Sequence, residues 1–363
     1  MAKKEKIKNK EKNKDEFVSC RLGKVGGQAV IEGIMMKNGD DMAIASRMPD
    51  ESIKITRDKY VSVRKKYKAL NIPFLRGIIN FVESMVLSFR TLSASTQALG
   101  LDEEEEMTKF EKWLMKKFGK GIMTFVMVLS TILGVLLAVL LFTVLPTASI
   151  SGIDWIGAKL GFGNISSYAG SVIEGLLKIA IFLIYMALVS LMPDIKRTFQ
   201  YHGAEHKSIF CYEKGLEMTV ENVKKQSRFH PRCGTSFMFF MILISIIIGL
   251  FLPWDNKLLR VGLKLLLLPL SVGVGFEVIM LAGKHPNFIT KAISAPGLWV
   301  QRLTTKEPDE KQIECAIAAL KTVLPDDFPE FAKEQAEKEQ AEKEQAEKEK
   351  AEQSEESSQS ENS

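Results

Sequence analysis

Apolar residues in the middle of this chain come in long runs, while both ends are almost wholly charged. Four runs, at 122–145, 171–192, 235–252 and 258–281, reach or approach the ~20 apolar residues that cross a bilayer, and they predict four transmembrane helices. The first carries no charge. The second carries Glu174 and Lys178 and the fourth Arg260 and Lys264, each pair near one end, where long side chains can snorkel to an interface. Between the third and fourth runs, 253–256 predicts a tight turn and hence a helical hairpin.

Upstream, the pattern over 72–99 is helical, and Arg76, Asn80, Glu83 and Arg90 fall along one stripe among apolar neighbours. Charges spread through its length disfavour a fifth span, so an interfacial helix is expected there. Short β-prone runs at 28–36, 42–47 and 53–57, set among Gly26, Gly27 and Gly33, predict a small β element. These glycines match neither a P-loop nor a dinucleotide fingerprint. A soluble helix is expected at 309–323.

The expected fold class is therefore a mainly α membrane protein: four transmembrane helices, a small cytoplasmic N-terminal β element and an interfacial helix. Its parts are a disordered basic N-terminus (1–20), a Gly-containing β element (21–70), the interfacial helix and a linker (71–120), and a four-helix membrane domain (121–283) with a central loop at 193–234. A cytoplasmic segment (284–325) and a charged low-complexity tail (326–363) follow.

Charge sets the orientation. Lys109, Lys112, Lys116, Lys117 and Lys120 precede the first run, the loop at 146–170 has only Lys159, and the central loop is rich in Lys and Arg. The positive-inside rule then gives a multi-pass protein of the cell membrane with N and C termini cytoplasmic. No signal peptide is expected, because the first apolar run follows more than a hundred polar and mixed residues. Cys20, Cys211, Cys233 and Cys315 all fall on the cytoplasmic side, where thiols stay reduced, so free thiols or ligands are expected rather than disulfides. The formal net charge of +5 sits in juxtamembrane Lys and Arg, which suits lipid headgroups; membrane lipids are expected partners, and nucleic acid is not.

The chemistry concentrates in Tyr201-His202-Gly203-Ala204-Glu205-His206-Lys207, which holds two of the four histidines of the chain. On a helix, positions i, i+3 and i+4 share a face. The order H-x-x-E-H is the inverted zinc-protease motif, in which two histidines hold the metal and the glutamate serves as general base. Glu277, near the cytoplasmic end of the fourth run, is the favoured third ligand, because an intramembrane carboxylate needs a partner. His230 and Cys233, just before the third run, are the other candidates. Each residue also has a structural reading: His202 and His206 at phosphate headgroups, His230 in the turn before Pro231, Cys233 as a small buried residue, and Glu277 paired with Arg or Lys.

The expected activity is a metal-dependent hydrolase at the cytoplasmic membrane face, with His202, His206 and one of Glu277, His230 or Cys233 on Zn²⁺ or a similar divalent ion. Glu205 is its general base, and a peptide or lipid-like molecule its substrate. A non-enzymatic membrane scaffold or assembly factor with a structural His/Glu cluster is the alternative, and a small channel or transporter subunit using Glu277 is the third. A G-x-S-x-G nucleophile elbow is absent, and four histidines are too few for a histidine-cluster di-iron oxygenase.

Gly26-Gly27-Gln28-Ala29-Val30-Ile31-Glu32-Gly33-Ile34-Met35-Met36, the Tyr201–Lys207 run, His230-Pro231-Arg232-Cys233-Gly234-Thr235-Ser236 and Pro296-Gly297-Leu298-Trp299 with Gln301-Arg302 and Thr304-Thr305 together resemble the YqhQ-like family of bacterial membrane proteins of unknown function. The likeness spans about residues 20 to 325. It implies a metal-dependent membrane enzyme, and it carries over Glu32, His202, Glu205, His206, His230 and Cys233 as motif positions, leaving the charged tail outside.

Overall fold

The computed structural model describes residues 21–100, 121–161, 165–284 and 288–341. The expectations for 1–20, for 101–120 and for the tail beyond 341 lie outside the described residues. Four strands, β1 (Val25–Val30), β2 (Gly33–Asn38), β3 (Asp41–Arg47) and β4 (Ile53–Lys59), precede the helices α1 (Leu75–Ala98), α2 (Gly121–Val139), α3 (Leu145–Lys159), α4 (Ser167–Val189), α5 (Pro193–Glu213), α6 (Gly234–Leu250), α7 (Lys257–Leu266), α8 (Leu268–Lys284), α9 (Phe288–Thr304) and α10 (Glu310–Thr322).

The strands form an antiparallel meander in the order β1-β2-β3-β4. The expected run at 28–36 is two strands, split by the two-residue turn Ile31-Glu32. Glu32 adopts φ of 49° there, uncommon for a side chain bearing a Cβ. It is held by Arg197 of α5, whose Nε and Nη2 both donate to its carboxylate, and by the Tyr201 hydroxyl at 3.2 Å. β2 and β3 are apolar on both faces because both faces are covered. Ile34, Met36, Ala43 and Ala45 join the core shared with α5 and α10, while Met35, Met42 and Ile44 turn to Leu87 and Ala94 of α1.

By length and composition two stretches can cross a membrane, Val128–Lys159 and Ser167–Val189, and a third if the bent pair α7–α8 crosses as one. α6 is apolar and has 17 residues, at the lower end of the roughly 17–25 that cross a bilayer. Two or three of the four expected spans are thus met by length and composition. The first run does not end at 145. A π-helical turn at Leu140–Val144 leads into α3, with Pro146 in its first turn. Proline has no N–H to give to the preceding turn, and the wider turn absorbs the mismatch. The fourth run bends by 48° at Leu267, just before Pro269.

Glu174, Lys178, Arg260 and Lys264, expected to snorkel, are all buried. Arg260 Nη2 donates to Glu174 Oε2 at 3.1 Å, Lys264 Nζ also donates to Glu174, and Thr147 Oγ1 donates to Glu174 Oε1 at 2.7 Å. Lys178 Nζ reaches Ser245 Oγ at 3.0 Å. Glu174 pairs with Arg260 and Lys264, and the Ser245 hydroxyl receives Lys178, so these groups find partners inside and need not reach for an interface.

The expected interfacial helix is α1. One flank meets the sheet, and near its start the Arg76 guanidinium grips Glu277 of α8. Val82, Met85, Val86 and Phe89 stay exposed.

Candidate functional site

Tyr201, Ala204, Cys211 and Tyr212 anchor α5 in the core against the sheet and α10. That anchoring turns the i, i+3, i+4 set of His202, Glu205 and His206 away from the core centre, toward the start of α6 and the end of α9. The two imidazole centroids are 4.4 Å apart.

Each ring commits one nitrogen to the main chain. His202 Nδ1 lies 2.9 Å from the carbonyl of Thr304, at the end of α9, and His206 Nδ1 lies 2.5 Å from the carbonyl of Arg228. A carbonyl only accepts, so both Nδ1 atoms carry the proton and donate it, leaving both Nε2 atoms to face inward. His202 Nε2 stands 3.2 Å from Cys233 Sγ. Cys233 is the N-cap of α6, where its sulfur accepts from the Thr235 N–H. Oriented N–H groups at that helix start favour a thiolate.

One donor atom each from His202, His206 and Cys233 lies within 4.8 Å of the others. Tetrahedral zinc, with bonds of ~2.0–2.3 Å, places neighbouring donors roughly 3.3–3.7 Å apart, so small side-chain adjustments close this set on an ion. The carbonyls behind the two rings match the outer partners that orient metal-binding histidines. Glu205 is buried beside them, and its Oε2 has no hydrogen-bond partner among the described residues. An orphaned carboxylate oxygen at such a place is costly unless a water or ion meets it. Donors and orphan together fit a divalent ion.

The electrostatics are mutual. Burial pulls the His202 imidazole down, but Cys233 and Glu205 outweigh it and hold it up at about 9. Burial also pushes the Cys233 thiol up, yet His202 and His206 bring it well below its usual range. Burial raises Glu205 despite the two histidines. By contrast, burial leaves Cys211 pushed up to about 11 and Cys315 to about 12, which separates Cys233 from the other described thiols. Gly27 of β1 makes room for Glu205: a Cβ there would stand 2.8 Å from Glu205 Cγ.

The remaining expected ligands are placed differently. Glu277 is outside the donor group, its carboxylate held by Arg76 Nε at 2.7 Å and Nη2 at 2.5 Å and approached by the Phe74 N–H at 3.3 Å. A bidentate guanidinium satisfies that carboxylate, so the paired reading describes its place. His230 packs 5.5 Å from His206 between ring centroids, but its Nε2 faces Glu213 at 3.7 Å and its Nδ1 receives the Arg232 N–H. Burial and nearby positive charge outweigh Glu213 and lower its pKa.

Sequence reasoning gave no role to Gln301 or to the Thr304 carbonyl. Gln301, fully buried, accepts from the His230 N–H and donates to the His230 carbonyl, both at 2.7 Å, and so fixes the loop that carries Cys233. Its place in a C-terminal stretch of polar residues, Gln301, Thr304 and Thr305, was the available signal.

Residues 72–326 match the family described as "Protein of unknown function (DUF1385)". The chain is 38% identical over 305 residues to "Uncharacterized protein YqhQ" of Bacillus subtilis (strain 168), covering 82% of this chain and 92% of that protein. No solved structure matches.

Proposed function

The chain belongs to the family of proteins of unknown function DUF1385, and from its geometry we propose a metal-dependent hydrolase working at the membrane surface. His202, His206 and Cys233 hold the ion, Zn²⁺ by the character of an N₂S donor set. The observation that carries this reading is the convergence of two Nε2 atoms, each fixed by a carbonyl behind its ring, on one cysteine sulfur. A bound ion would supply Lewis-acid polarisation of a substrate oxygen and acidify a water. Glu205 takes the proton of the attacking water at its orphaned Oε2 and passes it to the leaving group. Gln301, through His230, keeps the Cys233 loop in place while this happens.

Elemental analysis of detergent-purified protein tests the reading. One zinc per chain in the wild type, lost in the His202→Ala/His206→Ala variant and kept in Glu205→Gln, is the expected result. A metal-free wild type overturns it, and a fall in thermal stability of His202→Ala in that case moves the cluster to a structural role in a scaffold. A second reading rests on the Cys233–His202 contact at a helix N-cap: a metal-free thiol nucleophile with His202 as its base. It predicts a covalent acyl adduct on Cys233 in protein stripped of metal.

A further inference from the structure

α1 and α8 cross closely and then diverge. At the crossing a Cβ on Gly77 would stand 2.7 Å from Phe276 Cβ and 3.1 Å from Gly273 Cα, and the Arg76–Glu277 pair pins the same place. Beyond it the two helices and the first turns of α6 enclose a cavity of about 350 Å³, within the range of small-molecule sites. The Phe81 and Phe237 rings close its floor, 5.8 Å between centroids.

The two ends of this space differ. One end is Cys233, the sulfur of the candidate metal site. Five residues further along α6, about 7–8 Å at helical rise, the lining reaches Met238. Met238 is 44% exposed, and Met85 across from it on α1 is 58% exposed. Met85 continues into Val82, Val86 and Phe89 on the exposed apolar flank of α1. The lining therefore runs from Cys233 to the apolar outer surface of the helices.

Most polar groups along the wall have partners, the Arg232 guanidinium at the Cys233 end donating to Glu213. Ser84 donates to the Asn80 carbonyl, Ser88 to Gln28, and the Asn80 side chain accepts from Arg64. A peptide laid in this space would need partners for its own N–H and C=O groups, whereas a hydrocarbon chain needs none. We propose that the cavity takes one hydrocarbon chain of a membrane lipid, entering sideways between Met85 and Met238, with the hydrolysable linkage of that lipid at Cys233. The chain site stands on the cavity alone; the placing of the linkage rests on the hydrolase reading.

Full-length protein in nanodiscs of phosphatidylethanolamine and phosphatidylglycerol, doped with a phosphatidylglycerol bearing a diazirine midway along one acyl chain, provides the test. After irradiation, adducts are mapped by mass spectrometry. Adducts are expected on Phe81 and Phe237, inside the cavity, besides those on exposed Leu133 and Leu136 of α2. Ser84→Trp and Met238→Trp, which fill the space without touching the metal cluster, abolish the first set and leave the second. Phe81 and Phe237 free of adducts, or labelled equally in both filled variants, overturn the proposal, as does displacement of the cavity label by an apolar peptide. Zinc measured on the same samples separates the two ideas. Cavity adducts without zinc uphold the chain site and sink the hydrolase reading; zinc without cavity adducts does the reverse.

Discussion

Cys233 has surroundings unlike those of Cys211 and Cys315. Its sulfur lies beside His202 and His206, and the residue lines a cavity, while Cys315 donates to the Ala45 carbonyl inside the core and Cys211 toward that of Glu217. Zinc-loaded protein should therefore resist iodoacetamide at all three, and chelator-treated protein should be alkylated, of these three, at Cys233 alone, as read by peptide mapping. Equal labelling of Cys233 with and without zinc would remove it from the ligand set. Gly27→Ala sets a Cβ against both Glu205 Cγ and Met36 Sδ. It is expected to cost about 1–3 kcal/mol through overpacking, seen as a lower Tm in detergent, with zinc content unchanged because no ligand is touched. The spacing H-x-x-E-H was enough to put His202, Glu205 and His206 on one face. Choosing Cys233 over Glu277 was not legible, because the guanidinium that claims Glu277 lies 201 positions away, on a helix whose docking no local pattern encodes.

Elements were legible where a local signal sets them. The helix expected at 309–323 is α10, started by Asp309 and Gln312 in a reciprocal capping box, and the strands follow their β-prone runs apart from the turn at Glu32. The ends of the apolar helices were not legible, because hydropathy marks an environment and not a backbone path: α2 continues through a π-helical turn into α3, and α7 breaks before Pro269. Charge was misread for a similar reason. Glu174 on α4 meets both Arg260 and Lys264 on α7, while Lys178, one turn further along α4, reaches Ser245 of α6, and sequence alone shows the charges without showing which of them meet. Glu174→Leu strips the buried counter-charge from Arg260 and Lys264, so a loss of about 3–5 kcal/mol is expected, measured as a fall in Tm in detergent. Arg302→Ala, whose guanidinium lies over the exposed Trp299 ring, serves as the comparison and should shift Tm little, since exposed contacts of this kind contribute about 0.5–1 kcal/mol. Equal shifts in the two variants would show that the buried network adds no more than a surface contact.

At the scale of the molecule, the sheet is what joins the first and last described helices and strands to the candidate site. α1 covers one face of the sheet and α5 with α10 the other, so the strands at the N-terminal end, the histidine helix and the C-terminal helix form one body. That body must lie on a single side of the membrane, and α5 leads straight to the turn at Gly215 and Leu216 on the same side. Lysine and arginine crowd the segment from 193 to 233, while Lys159 is the one Lys or Arg from 121 to 177, so the body is expected in the cytoplasm. A reducing environment there would keep Cys233 a thiol. Two single cysteines test this, placed at Leu160, 66% exposed after α3, and at Leu216, 40% exposed after α5. In intact cells a membrane-impermeant maleimide should label Leu160→Cys, and Leu216→Cys should label only after the membrane is permeabilised. The opposite pattern would put the sheet and the histidines outside the cell, where an oxidising environment threatens the Cys233 thiol and a hydrolase drawing on cytoplasmic zinc would have the wrong address. Labelling of both sites in intact cells would mean that 160 and 216 share the outer side, and α4 would then not span the membrane despite its length and composition.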